Sequence, residues 1–223
     1  MIEDPFIKHL VAEHKRPAFV DSVGNGALFG ELVSCAVVLN DDIRLHDVND
    51  SKKLKHEHIR YLAKLLWKCV SFSFGIVSTA ELNKLANINK ADELAMRRAV
   101  EGFQLKPGAV FVDGKYSIKG VSMPSYPVIK GDSKVYGIAV ASIIAKDYRD
   151  RMISDKYGDE FSRYHLRSNK GYRSPNHLMA IRRWGATEHH RLWQWQVQRV
   201  LSGQYDEVIQ RKYLSRWEEL CRE

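Results

Sequence analysis

Three short apolar runs in this chain each close on an aspartate beside a glycine. They are Phe19-Val20-Asp21 before the Gly24-Asn25-Gly26 turn, Val110-Phe111-Val112-Asp113-Gly114, and Val128-Ile129-Lys130-Gly131-Asp132. A β-rich apolar run favours a buried strand, and an aspartate at its tip lies where the sheet meets solvent. Three such tips on neighbouring strands bring together carboxylates that repel one another unless cations hold them. That is the chemistry of a site for hard divalent ions, and it points to an enzyme acting on phosphates. Taken singly, each aspartate has a plainer account: Asp21 as a turn initiator, Asp113-Gly114 as a hairpin turn, Gly131-Asp132 as a loop. Taken together, they match what two-metal phosphodiester cleavage requires, with one carboxylate bridging two ions and others holding each ion singly.

The glycines after Asp21 do not make a dinucleotide loop. The third glycine of G-x-G-x-x-G would fall at Phe29, and Gly30 comes one place late. Asp21 would also repel a pyrophosphate. Gly24 and Gly26 suit a tight turn needing positive φ, or a bare backbone that lets a ligand reach amide groups. Their spacing is compatible with both.

The elements that must position these residues alternate. Residues 18–21 and 32–39 read as strands around a turn at 24–30, residues 52–69 as a helix, and 71–77 as a third strand. Ser78-Thr79-Ala80-Glu81 fits a capping box opening a short helix. A longer helix is expected from about Ala91 to Phe103, strands at 109–113 and 127–130, and a helix with a small-residue face over 136–154. Ser174-Pro175 opens a further helix that Gly185 ends. The last twenty or so residues read as a charged helical tail. Strands alternating with helices predict an α/β domain with a mixed sheet.

The chain has 223 residues, 44% of them hydrophobic and 28% charged, an ordinary composition for a folded domain with a full core. No apolar run approaches the roughly 18 residues of a membrane helix, and Met1-Ile2-Glu3-Asp4-Pro5 lacks the pattern of a signal peptide. Cys35, Cys69 and Cys221 are far apart and read as reduced thiols, so a cytoplasmic location without membrane attachment is expected. The net charge of +8 is uneven: residues 161–203 hold eight Lys/Arg against one acid, Glu188. The same segment carries Tyr164, Tyr172, Trp184, Trp193 and Trp195. Basic residues interleaved with aromatic ones suit nucleic acid, although a solubilising surface would share the charge. Adjacent His189 and His190, and His177 without a partner four residues on, read as phosphate or core contacts rather than metal ligands.

At this point the motifs resemble a known family, the bacterial-type ribonucleases HII. The matching stretches are Asp21–Gly30, Asp50-Ser51-Lys52-Lys53-Leu54, Ala95-Met96-Arg97-Arg98-Ala99-Val100, Val112-Asp113-Gly114, Lys130-Gly131-Asp132-Ser133-Lys134, Ala141–Lys146 with Arg149-Asp150, and Lys170-Gly171-Tyr172. The resemblance implies a ribonuclease H-like α/β fold, with a mixed central sheet flanked by helices and a C-terminal helical segment. It implies an N-terminal extension over 1–17, a catalytic domain over 18–193 whose basic helical part (about 161–193) binds substrate, and a helical tail over 194–223. It implies an endoribonuclease that uses Mg²⁺ or Mn²⁺ at a two-metal site. Its substrates would be RNA strands in RNA–DNA hybrids and ribonucleotides embedded in duplex DNA. Asp21 would bridge the ions, with Asp113 and Asp132 flanking. The turn of Gly24, Asn25 and Gly26 would read the ribose 2′-hydroxyl, which distinguishes RNA from DNA. Tyr172 would pack on the neighbouring deoxyribose, and Lys52 and Lys53 would lie near phosphates.

The departures from the family pattern fall in the site. The family motif begins Asp-Glu-Ala-Gly-Arg-Gly; here Ser22 replaces the glutamate, Asn25 the arginine, and Ala27 a following proline. A serine hydroxyl is a weak neutral ligand for a hard cation, and losing the arginine removes a fixed-charge phosphate contact. Glu31 stands where the family has a proline. It is a surface acid at a strand start or a substitute ligand. Two functions follow: an active nuclease with a thinned fourth ligand, needing more divalent metal or favouring manganese, or a protein that grips hybrid nucleic acid on the same fold without cutting it.

Overall fold

The computed structural model describes residues 5–39, 45, 48 and 54–204. In chain order it contains α1 (Pro5–Ala12), β1 (Ala18–Val23), β2 (Leu32–Val38), α2 (His56–Cys69), β3 (Ser71–Val77), α3 (Thr79–Leu85), α4 (Ile88–Glu101), β4 (Val110–Asp113) and β5 (Ser125–Val128). Next come a one-turn α5 (Gly131–Lys134), α6 (Tyr136–Tyr157), α7 (Leu166–Asn169), α8 (Pro175–Trp184) and α9 (Trp195–Leu201). The described residues form two compact units. The first comprises those up to 25, 32–77 and 87–150; the second comprises 26–31, 78–86 and those from 151 on.

The first unit holds the whole sheet, ordered β3-β2-β1-β4-β5. β1 and β3 run antiparallel to β2, while β1, β4 and β5 are mutually parallel, so the sheet is mixed as expected. Side chains alternate between its two faces. Phe19, Cys35, Val37 and Phe111 pack with Ile59, Leu62 and Leu66 of α2 and Ile138 of α6. Ala18, Val20, Ala36, Val110 and Val112 pack on the other face with Met96, Ala99 and Val100 of α4. β2 is buried along its full length, which explains its unbroken apolar run. α4 approaches closely at Gly75, where an added Cβ would run into the backbone of Ala95 and Ala99.

Several boundaries differ from the sequence reading, among them the end of the helix expected over 136–154, which runs on to Tyr157. β1 runs on past Asp21 to Val23, because β2 continues to pair with it there while β4 stops at Val20. The last strand is Ser125–Val128 rather than 127–130. Pro127 is tolerated because β5 is an edge strand, and Ile129 is already exposed before Lys130 turns the chain at φ 57° into α5. α4 begins at Ile88, three residues early, because the Asn87 side chain accepts from the Lys90 amide and caps it. The helix expected over 52–69 is seen from His56; Lys52 and Lys53 lie outside the described residues, as do Cys221 and the tail from 205 on. The capping box at Ser78 and Glu81 is formed, and so is the Ser174 cap of α8 with its end at Gly185.

The second unit has its own core, centred on Phe29, Ile153, Tyr157, Tyr164, Ile181 and Val197. His177 and His190 are wholly buried within it, so they are core contacts. No helix among the described residues is long and apolar enough to cross a membrane.

Candidate metal centre

The parallel ladder between β1 and β4 ends at the Val20–Val112 pair. The next residue on each strand is an aspartate, Asp21 and Asp113, so the ladder delivers two carboxylates side by side. Asp113 pairs onward with Val128 of β5, and its Oδ1 accepts the Gly131 amide at 2.7 Å. That bond ties the start of α5 to β4 and places Asp132 on the turn that follows. Asp132 is thus presented by a helical turn, not a strand tip.

Asp21 is 8% exposed. Its Oδ1 accepts the Ser22 amide at 2.7 Å, and Ser142 of α6 hydrogen-bonds its side chain. Its main-chain carbonyl accepts from Ser34 Oγ at 3.1 Å. Burial, then the charge of Asp113, push its carboxyl up to about 7, with Asp132 adding to the rise and the two serine contacts opposing it. Asp21 therefore senses the charges of both Asp113 and Asp132, a repulsion that a bound divalent ion would relieve. Among the described residues, no three acid, histidine or cysteine side chains already converge on one point as ligands. The donor set still fits a hard cation. It is all carboxylate oxygen, and a further aspartate, Asp92 of α4, has its Oδ1 buried without a hydrogen-bond partner.

Asp92 was not anticipated from the sequence. It lies near the start of α4, and Ser22 and Asn25 sit within hydrogen-bonding range of its carboxylate. Burial raises its pKa first; those two neighbours lower it and Asp113 raises it again, leaving it above the usual carboxylate range. The available signal was the alternation along β1: if Asp21 faces α6, residue 22 faces the other side of the sheet.

The remaining predicted residues fall in both units. Gly24 has φ +98°, and a Cβ there would strike the side chain of fully buried Arg149. Asn25 is exposed. Gly26 and Tyr172 belong to the second unit. There Ala27 bridges Tyr172, and the Leu28 amide donates to the Gly171 carbonyl at 2.8 Å. Glu31 is not a surface acid: it is 6% exposed. Its Oε1 accepts from Lys156 Nζ at 2.8 Å and the Tyr157 hydroxyl at 2.6 Å. Burial alone would raise its carboxyl, but those two donors outweigh it and hold it below its ordinary range. Glu31 thus has a structural role within the second unit.

A mixed sheet with helices on both faces, carrying acids at the end of its central parallel ladder, defines the ribonuclease H-like class of α/β folds. Comparison with known proteins narrows this. The ribonuclease HII family model matches residues 18–199. A ribonuclease HII from Trichodesmium erythraeum is 43% identical over 183 residues, covering 78% of this chain and 84% of its own. One from Lactobacillus gasseri is 41% identical over 175 residues, covering 78% and 68%. Among solved structures, the RNase HII of Archaeoglobus fulgidus, determined in complex with PCNA, aligns with TM-score 0.69 at 26% identity over 81% of this chain and 95% of that one. Ribonuclease H2 from Pyrococcus horikoshii OT3 shares the fold at TM-score 0.67 and 22% identity, over 82% of this chain and 96% of that one. The chain belongs to the ribonuclease HII family.

Proposed function

We propose that this protein is a metal-dependent endoribonuclease that hydrolyses RNA strands in RNA–DNA hybrids and at ribonucleotides embedded in duplex DNA, with Asp21, Asp113 and Asp132 as its metal-facing acids. The observation that carries the reading is the β1–β4 register, which sets Asp21 beside Asp113 at the sheet end. Two bound Mg²⁺ or Mn²⁺ ions would supply an activated water and charge stabilisation at the leaving oxygen. The chain's own contribution is to hold the carboxylates. Ser142 and the Ser22 amide orient Asp21, and the Gly131 amide orients Asp113. The amides around Gly24 and Asn25 suit a ribose 2′-hydroxyl, and the Tyr172 ring of the second unit suits packing on a deoxyribose.

The test is a duplex carrying one ribonucleotide, beside a continuous RNA–DNA hybrid, each titrated with Mg²⁺ and Mn²⁺. Cleavage should occur and should fall by at least about a thousandfold in Asp113→Asn, as expected for loss of a group that holds the reacting ions. Ser22 in place of the family's glutamate favours a second reading, a binder without cleavage. Tight duplex binding with no cut product under either metal, unchanged in Asp113→Asn, would establish that reading and overturn the first.

A further inference from the structure

We propose that Asp92 supplies the fourth metal-facing carboxylate, reaching the site from α4 rather than from β1. The inference rests on the two-metal reading above and identifies one of its ligands. Alternation along β1 sends Phe19 and Asp21 to the face covered by α6, and Val20 to the face covered by α4. Residue 22 therefore points toward α4. A glutamate there would bring a carboxylate from the strand; Ser22 brings only a hydroxyl.

The structure puts a carboxylate opposite that hydroxyl. Asp92 lies within hydrogen-bonding range of Ser22 and Asn25 and within electrostatic reach of Asp113. Yet the Asp92 Oδ1 and the Ser22 Oγ are both buried with no hydrogen bond of good geometry completed. A buried carboxylate oxygen left over in this way is costly unless an ion or proton takes it up. Asp92 and Asp113 also line one cavity of about 170 Å³, together with Asn89, Met96, Gly114 and Tyr116. That space is roomy enough for a cation with part of its hydration shell. Helix capping does not account for Asp92, because Asn87 already caps α4 and the dipole effect fades beyond the first turn. Close packing on the strand at Gly75, against Ala95 and Ala99, holds α4 to the sheet one turn beyond Asp92. With Asp92 counted, the site has four carboxylates although Ser22 is neutral.

The experiment is Mn²⁺ binding to purified metal-free protein without nucleic acid, read by calorimetry and by the free-ion electron paramagnetic resonance signal. Asp92→Asn should weaken Mn²⁺ binding about tenfold or more, while Glu101→Gln, exposed at the far end of the same helix, should leave it unchanged. Melting curves without metal should show Asp92→Asn folded and no less stable than the parent. Ser22→Glu added to Asp92→Asn should restore binding by returning the carboxylate from the strand side. Parent-like Mn²⁺ affinity and stoichiometry in Asp92→Asn would overturn the inference. So would lost binding that Ser22→Glu fails to restore in a folded double variant. If the parent cleaves ribonucleotide-containing duplex and Asp92→Asn binds Mn²⁺ normally, the nuclease reading stands and this one falls. If the parent does not cleave but binds Mn²⁺ through Asp92, the reverse holds.

Discussion

At the residue scale, the acids of the site work against the stability of the metal-free fold. Asp21 is buried beside Asp113, with its carboxyl pushed from an ordinary 3.8 to about 7. A carboxyl raised on folding contributes stability that is complete below about pH 4 and is lost as pH rises through about 7. Metal-free protein should therefore become less stable across that window, and added Mn²⁺ should reverse the loss. Asp21→Asn removes the charge. It should abolish cleavage and yet raise the stability of the metal-free protein at pH 8 by roughly 1–2 kcal/mol, as substitutions at strained functional sites commonly do. Calorimetry with and without metal checks this; a lower melting temperature in metal-free Asp21→Asn would mean that Asp21 is a structural acid. Glu31 illustrates the opposite case. Its hydrogen bonds to Lys156 and Tyr157 outweigh its burial, so the same residue type close in sequence serves the core of the second unit.

At the element scale, α4 and α8 each carry a prediction. α4 reaches the sheet only because residue 75 lacks a side chain. Gly75→Ala would press a methyl group into the backbone at Ala95 and Ala99, neither of which can rotate aside. It should cost about 1–3 kcal/mol and weaken Mn²⁺ binding by moving Asp92; unchanged stability would show that α4 can shift freely. In the second unit the Thr187 amide donates to His190 Nδ1 at 2.9 Å. His190 Nε2 therefore carries the proton and donates to His177 Nε2 at 3.3 Å. His177 Nδ1 then donates to the Tyr172 carbonyl at 2.9 Å. This relay of neutral rings fastens the Tyr172 loop to α8. Burial lowers His177 to about 4 and His190 to about 3. A histidine depressed on folding contributes stability above about pH 6.5 that is lost as pH falls toward those values, by at most about 1.4 kcal/mol per pH unit for each ring. Chemical denaturation between pH 7 and 4 should show this slope, reduced in His177→Gln; an unaltered slope would place the acid sensitivity elsewhere. The helix caps at Ser78 and Ser174 were legible in the sequence because caps are local hydrogen bonds. The extent of β1 was not, because it depends on how far β2 accompanies it.

At the scale of the whole molecule, charge is the property that a polyanion senses first. The net charge is +8, and residues 161–203 carry eight basic residues against one acid. Arg163, Arg182 and Arg183 are exposed there, with Arg163 and Arg183 lying over the Trp184 ring at 5.9 and 4.7 Å. If this face meets phosphates, Arg182→Gln with Arg183→Gln should weaken duplex binding and flatten the slope of log affinity against log salt by about 1–2, near 0.9 for each lost phosphate contact. A parent-like slope would make the face a solubilising surface. The family and the mixed α/β architecture were legible in the sequence alone, and so was the placing of Asp21, Asp113 and Asp132 at the ends of apolar runs. They rest on local patterns: apolar runs, the glycines beside the acids, and ordered motifs, which survive in one dimension. Only the tertiary structure shows which other acids come near them. Ser22 and Asp92 are 70 positions apart in the chain and meet because strand alternation points one toward α4 and a missing Cβ at Gly75 lets α4 come down to it. Glu31, much closer in sequence, is drawn instead to Lys156 and Tyr157. Distance along the chain says nothing about either outcome, because packing, not spacing, selects the partners of a buried charge.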